Sequence, residues 1–185
     1  REQKPVPAAA VQFTGGEPTL HPQFDEIIDA TLALRDHYFP KAKIAVLSNA
    51  TRIRNHKVLS ALKKIDERIL KLDAGTEPMF QLIDLPEQGI TLQKIVEDLE
   101  QFKGDLTIQT LFLRGNYKNQ LVDNTSPAEV SAWIDRLRTI RPKFVMLYSI
   151  ERETPAEDLE RISKPELETI AQRVRDAGIP AESFV

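Results

Sequence analysis

The sequence predicts an α/β fold on parallel strands, and three observations predict it. Short apolar segments rich in β-branched residues alternate with longer segments whose apolar residues recur at helical spacing. Single amphipathic segments separate successive strands, and such units are parallel because each crossover is right-handed and packs back on the sheet. The connections after the third, fourth and fifth strands are long, while those before strands are short. In parallel α/β folds ligands gather at the carboxyl ends of strands, so long loops there are where function is expected.

Residues 10–14 (Ala-Val-Gln-Phe-Thr) form the first strand, and Phe24, Ile27, Ile28 and Thr31 line one face of the helix that follows. Ile44-Ala45-Val46-Leu47 is the second strand, followed by a helix carrying Val58, Leu59 and Leu62. Ile69-Leu70-Lys71-Leu72 is the third; a loop over 74–90 leads to a helix with Leu92, Ile95, Val96, Leu99 and Phe102 on one stripe. The fourth strand covers 106–113, with a loop over 114–125. Ser126-Pro127-Ala128-Glu129 then reads as a capping box opening a helix with Val130, Trp133, Ile134, Leu137 and Ile140 inward. Pro142 closes that helix, the fifth strand spans 144–148, and a loop covers 151–162. Ser163 with Glu166 repeats the box, Leu167, Ile170, Ala171 and Val174 line the last helix, and Gly178 before Pro180 stops it. The strands read as mostly buried on both faces. With no repeat and no linker, residues 1–185 read as one domain of five βα units.

Composition narrows the function. The chain has 185 residues, 25 Lys plus Arg against 28 Asp plus Glu, and a net charge of −3, which disfavours a dedicated basic nucleic-acid binder. No apolar run approaches the roughly 20 residues that span a bilayer, and no signal segment is visible, so no membrane partner and a cytoplasmic location are expected. Cysteine is absent, which excludes disulfides, zinc ribbons and thiol nucleophiles within this chain. The histidines His21, His37 and His56 lie far apart and form no metal-ligand spacing. Arg52, Arg54, Lys57, Lys63 and Lys64 form a modest basic stretch that reads as a solvated helix face.

The chemistry concentrates where the first strand ends, at Thr14-Gly15-Gly16-Glu17-Pro18. Adjacent glycines let the backbone approach a ligand, a neighbouring carboxylate accepts from an ammonium, and proline stiffens the turn. The third glycine of a dinucleotide fingerprint is missing, and no Gly-Lys-Ser/Thr phosphate loop follows. A glycine-hinged turn with no ligand is the simpler reading of those residues alone.

Residues 11–18, Val-Gln-Phe-Thr-Gly-Gly-Glu-Pro, resemble the Gly-Gly-Glu motif that ends the second strand of radical S-adenosylmethionine (radical SAM) enzymes. Leu47-Ser48-Asn49-Ala50 is similar to the family's Thr-Asn-Gly stretch, Lys71-Leu72-Asp73-Ala74 to its Leu-Asp strand end, and residues 109–115 to its fifth strand. Asp73-Ala74-Gly75, Leu113-Arg114-Gly115 and Tyr148-Ser149-Ile150-Glu151-Arg152 look most like the iron–sulfur oxidoreductase branch similar to wyosine-forming tRNA-modifying enzymes. These stretches follow the family's order from residue 10 to about 162.

The resemblance implies a partial (β/α)6 TIM-like barrel of parallel strands with S-adenosylmethionine across the strand ends. It implies that Gly15, Gly16 and Glu17, stiffened by Pro18, hold the methionine ammonium, and that Ser48 and Asn49 contact its carboxylate or the ribose. Lys71 and Asp73 alternate with Leu70 and Leu72, so they share a face. They either face the cofactor or pair with each other. Gln109 is a further inward polar candidate, and Tyr148 lies where the family's last strand runs beside adenine. The family's Cys-x3-Cys-x2-Cys ligates a [4Fe–4S] cluster through thiolates, and this chain has none. The expectation is a truncated radical SAM core without the first strand and cluster loop, inactive alone. Its full-length parent would be an enzyme generating a 5′-deoxyadenosyl radical for hydrogen abstraction. Expected partners are an external one-electron reductant such as flavodoxin or ferredoxin, and a substrate that is tRNA, peptide or small molecule. The alternative is a non-catalytic nucleotide- or RNA-binding α/β domain. Removing the Glu17 carboxylate is expected to weaken cofactor binding with little effect on stability.

Overall fold

The computed structural model describes residues 10–150 and 158–184. The chain falls into two compact units, one up to Ile69 and one from Leu70 onward.

In the first unit β1 (Ala10–Phe13) pairs in parallel with β2 (Lys43–Ser48), matching Ala10 to Lys43 and Phe13 to Val46. Helix α1 (Phe24–Tyr38) packs on α2 (His56–Lys64), and β3 (Glu67–Lys71) begins at the unit's end. The inward positions of α1, α2 and β2 become core: Ile28 of α1, Leu62 of α2, and Ile44 and Val46 of β2 are fully buried. Asn55 caps α2, its side chain accepting from Lys57 N. β2 is buried on both faces, as expected of a parallel strand; β1 is half-exposed, because among the described residues it pairs on one side only.

In the second unit β4 (Thr107–Tyr117) pairs in parallel with β6 (Phe144–Ser149), and β6 with β8 (Ala181–Ser183). The last turns of β4 carry two antiparallel neighbours, β5 (Gln120–Asp123) and β7 (Leu159–Arg161). Helices α3 (Glu77–Ile83), α4 (Leu92–Glu100), α5 (Pro127–Ile140) and α6 (Lys164–Asp176) complete it. Trp133, Leu137, Val130, Ile108, Leu147 and Val174 are buried as their periodicity predicts. Arg141 at φ +55 ends α5 before Pro142, and Gly178 at φ +82 follows α6.

The α/β class with parallel strands is as expected, and the count of five strands is corrected to eight among the described residues. β5 lies in the stretch read as a loop over 114–125, and β7 in the one over 151–162, of which 151–157 lie outside the described residues. β8 follows the last helix in only three residues, too short for an alternating pattern. The stretch 74–90 likewise contains α3, whose seven residues bury a single apolar side chain, Phe80, and so leave no periodic signature. The Ser163–Glu166 capping box is complete. At Ser126 only half of the expected box forms: Ser126 Oγ accepts from Glu129 N at 3.4 Å, while the Glu129 carboxylate turns elsewhere.

Candidate functional site

The Gly-Gly-Glu turn is built around one carboxylate. Gly15 and Gly16 both take positive φ, +91 and +64, a backbone that side-chain-bearing residues adopt only with strain. Nothing lies within 4 Å of a Cβ at either, so their glycines are set by φ while the space beside them is open. The chain then turns into a short 3-10 helix, Pro18–Leu20, with Pro18 at its first position and Glu17 as its N-cap. Glu17 Oε1 accepts from Thr19 N at 3.1 Å, Thr19 Oγ at 2.5 Å and Ser48 Oγ at 2.8 Å. Oε2 accepts from Asn49 N at 2.6 Å. A carboxylate offers about four lone-pair sites, so Oε2 retains one. The end of β1 is thereby tied to the end of β2, bringing Gly15, Gly16, Glu17, Pro18, Ser48 and Asn49 together. Ser48 is buried, and Asn49, Gly15 and Gly16 are exposed. Ala50, standing where the family pattern has glycine, is fully buried at φ +67, the left-handed conformation glycine favours.

Because Glu17 caps a turn and accepts four hydrogen bonds, its replacement reaches beyond ligand binding. The expectation that stability is indifferent to this residue is corrected on that ground.

The end of β3 carries the second group. Lys71 Nζ lies 2.6 Å from Asp73 Oδ2; the Asp73 side chain is fully buried, and a third of the Lys71 side chain is exposed. Leu70 and Leu72 are buried on the opposite face, as alternation requires. Of the two sequence readings for Lys71 and Asp73, mutual pairing is realised. Asp73 Oδ1 accepts from Leu111 N at 2.8 Å. Asn124 anchors the same region: its amide donates to Asp73 O and Leu111 O, and its Oδ1 accepts from Leu113 N. From α5, Trp133 Nε1 donates to Leu72 O at 3.1 Å, and Glu129 Oε1 accepts from Gly75 N and Thr76 N. Gly75 is pressed against the Trp133 backbone with no room for a Cβ.

Gln109 is half-buried on β4, and its carbonyl accepts from Leu72 N. Tyr148 stacks on Phe184 with ring centroids 5.0 Å apart. Glu151 and Arg152, part of the last resembling stretch, lie outside the described residues.

Sequence reasoning missed Asp84. It caps the C-terminal end of α3, half-buried with its Oδ2 out of water and under the influence of Asp73 and Lys71, and its carboxyl is pushed up to about 8. Burial is the largest cause, followed by the Asp73 charge; Lys71 acts in the opposite sense. No motif marks it, since the residue sits in a stretch read as loop.

No family model matches the chain. Among curated proteins it is 27% identical over 163 residues to a protein named GTPase Obg from Brachyspira hyodysenteriae, covering 85% of this chain and 22% of that protein. It is 29% identical over 144 residues to the UPF0026 protein slr1464 from Synechocystis, covering 76% of this chain and 49% of that one. The chain thus spans half or less of the curated relatives it matches. Three solved structures cover 95% of it. A domain of pyruvate-formate lyase-activating enzyme from Bacteroides vulgatus aligns at TM-score 0.70 and 15% identity, over 98% of that domain. A radical SAM methyltransferase from Sphaerobacter thermophilus aligns at 0.67 and 16%, over 50% of its length. SuiB from Streptococcus suis, solved with its precursor peptide SuiA, aligns at 0.66 and 14%, over 38%. The chain has the fold of radical S-adenosylmethionine enzymes.

Proposed function

We propose that this chain is the S-adenosylmethionine-binding core of a radical SAM oxidoreductase. The observation that carries the reading is the Gly-Gly-Glu turn. Its glycines hold positive φ beside open space, and its carboxylate is locked in place with one lone pair unspent. Those features fit the α-ammonium of the cofactor, which Glu17 Oε2 and the Gly15–Gly16 backbone would hold by charge-assisted hydrogen bonds. Ser48 and Asn49, on the same turn cluster, are proposed to orient the carboxylate or ribose, and Lys71 to meet a carboxylate with its ammonium. Gln109 and Tyr148 are proposed contacts for the rest of the cofactor, Tyr148 beside the adenine. When bound, such a cofactor supplies a 5′-deoxyadenosyl radical for hydrogen abstraction; the protein's share is binding, orientation and exclusion of water.

A [4Fe–4S] cluster does not fit this chain's residues. The sequence has no cysteine, and among the described residues no group of three or more His, Asp or Glu could hold a metal ion. Cluster thiolates are therefore proposed to come from a portion of the parent outside this sequence, and the chain alone is proposed to be inactive. An external one-electron donor such as flavodoxin or ferredoxin, and a tRNA, peptide or small-molecule substrate, complete the proposal. Among the described residues no helix is long and apolar enough to cross a membrane.

Equilibrium titration of S-adenosylmethionine into the protein and its Glu17→Gln variant tests the reading, at a temperature where both are folded. The expected result is saturable binding weakened by about 1.5–3 kcal/mol in the variant, the scale of a hydrogen bond to a charged group. Equal affinity in the two proteins would return the turn to a purely structural role.

A further inference from the structure

Around the Gly-Gly-Glu turn the donors and acceptors can be counted one by one, and the count separates Ser48 from Asn49. A serine hydroxyl has a single proton to give. Ser48 gives it to Glu17 Oε1 at 2.8 Å, and the same oxygen accepts from Ala50 N at 3.1 Å. The residue is also buried, at 2% exposure. Ser48 therefore has no donor left for a ligand; it holds Glu17 and the turn at Ala50.

Asn49 is the opposite case. Its backbone N–H donates to Glu17 Oε2 at 2.6 Å, while its side-chain Oδ1 accepts from Thr51 N at 3.0 Å and from Thr51 Oγ at 2.7 Å. A backbone N–H can only donate, so the amide atom facing Thr51 is the oxygen and not the nitrogen. Both lone pairs of Oδ1 are then spent. The two Nδ2 protons have no protein partner among the described residues, and Asn49 is exposed. This side chain can donate to a ligand and cannot accept from one.

We propose that Thr51 is a positioning residue: it locks the Asn49 amide with the nitrogen turned away from it, and that nitrogen takes the carboxylate of the α-amino-acid group whose ammonium Glu17 holds. The α-ammonium and α-carboxylate of an amino acid leave the same carbon atom, so their partners must be neighbours. Glu17 and Asn49 are joined by the bond from Asn49 N to Oε2. A carboxylate only accepts, which suits a donor-only amide; ribose hydroxyls also donate, and an acidic side chain commonly meets them. Between the carboxylate and the ribose, Asn49 is thus assigned to the carboxylate, and Ser48 is assigned to neither. The carboxylate contact rests on the functional reading above; the lock by Thr51 does not.

Equilibrium titration with two ligands tests the contact: S-adenosylmethionine, and its decarboxylated analogue, which keeps the sulfonium, the ammonium and the nucleoside. Asn49→Asp keeps an oxygen toward Thr51 and replaces the nitrogen by a second oxygen. It should bind S-adenosylmethionine on the order of tenfold more weakly than wild type, and the analogue no less tightly. Thr51→Val removes only the hydroxyl. It should weaken S-adenosylmethionine roughly threefold and the analogue not at all, and Thr51→Ser should restore wild-type affinity. A loop with a merely structural role would lose both ligands in parallel. Equal losses for the two ligands, or unchanged S-adenosylmethionine affinity in Asn49→Asp, would overturn the carboxylate contact and leave the functional reading.

The lock is read without ligand, by hydrogen exchange of the Thr51 backbone amide in nuclear magnetic resonance spectra. Protection is expected in wild type and Asn49→Asp, with exchange on the order of tenfold faster in Asn49→Ala, which has no oxygen to accept. Equal exchange in wild type and Asn49→Ala would overturn the lock. Protection without binding of either ligand to wild type would defeat the functional reading and the carboxylate contact and leave the lock standing.

Discussion

Glu17, after β1, and Asp73, after β3, are both carboxylates at the carboxyl end of a strand, and their surroundings differ sharply. Glu17 is half-buried and accepts four hydrogen bonds from a backbone and hydroxyl cage. Asp73 is fully buried, accepts from Leu111 N on one oxygen, meets the Lys71 ammonium on the other, and acts on the nearby Asp84 carboxyl. The first arrangement holds an acceptor in a fixed place through four donors. The second sets two acids beside one ammonium, and burial with the Asp73 charge pushes the Asp84 carboxyl up. A cage of neutral donors makes a rigid acceptor; two acids brought together out of water raise the cost of ionising both.

The comparison can be broken first on its structural side. The end of β3 is held by α5 through the Trp133 indole, which donates to Leu72 O and packs edge-to-face on Phe112 at 5.2 Å. Trp133→Ala should cost about 3–5 kcal/mol in denaturant unfolding, the range for deleting a buried aromatic. A loss under 1 kcal/mol would mean that the β3 end does not depend on α5.

Glu17→Ala sharpens the other half. Losing an N-cap and leaving Thr19 N, Ser48 Oγ and Asn49 N without their acceptor should cost about 1–2 kcal/mol in denaturant unfolding. If stability is unchanged, the cage is incidental and the turn owes its shape to its glycines.

The smallest effect concerns Ala50, whose positive φ follows the Asn49 that Glu17 grips. Ala50→Gly should raise stability by up to about 1 kcal/mol, relief of left-handed strain being offset in part by the freer unfolded chain. A destabilised glycine variant would show that the methyl's burial outweighs the strain.

Much of this was legible in the sequence for physical reasons. Long amphipathic helices such as α5 and strands buried on both faces such as β2 print their period directly, and their Pro, Ser and Gly boundaries are local chemistry. The Gly15–Gly16–Glu17 turn was visible because positive φ demands particular residues. What stayed hidden had no local signature. Glu129 reads as a capping residue by spacing, yet tertiary contact diverts it to Gly75 and Thr76, more than fifty residues away in the chain. Asp84 gains its character wholly from burial beside Asp73. β5, β7 and β8 are three or four residues each, set by pairing rather than by pattern.

The hairpin of β4 and β5 carries one more consequence, for register. Tyr117 opposes Gln120, leaving Lys118 and Asn119 as a two-residue turn with φ of +50 and +63, the left-handed pair that suits tightly twisted hairpins. At its other end Asn124 clips Leu113 from across the ladder, its Oδ1 taking the Leu113 N–H and its own N–H reaching Leu113 O. Anchored at both ends, the ladder cannot slide by one residue without turning buried Val122 to solvent and exposed Leu121 inward. Because Asn124 also grips Asp73 O, that slide would drag the strand-end carboxylate with it. The hairpin therefore acts as a ruler, fixing to a single alignment the place where the lysine and its acids meet.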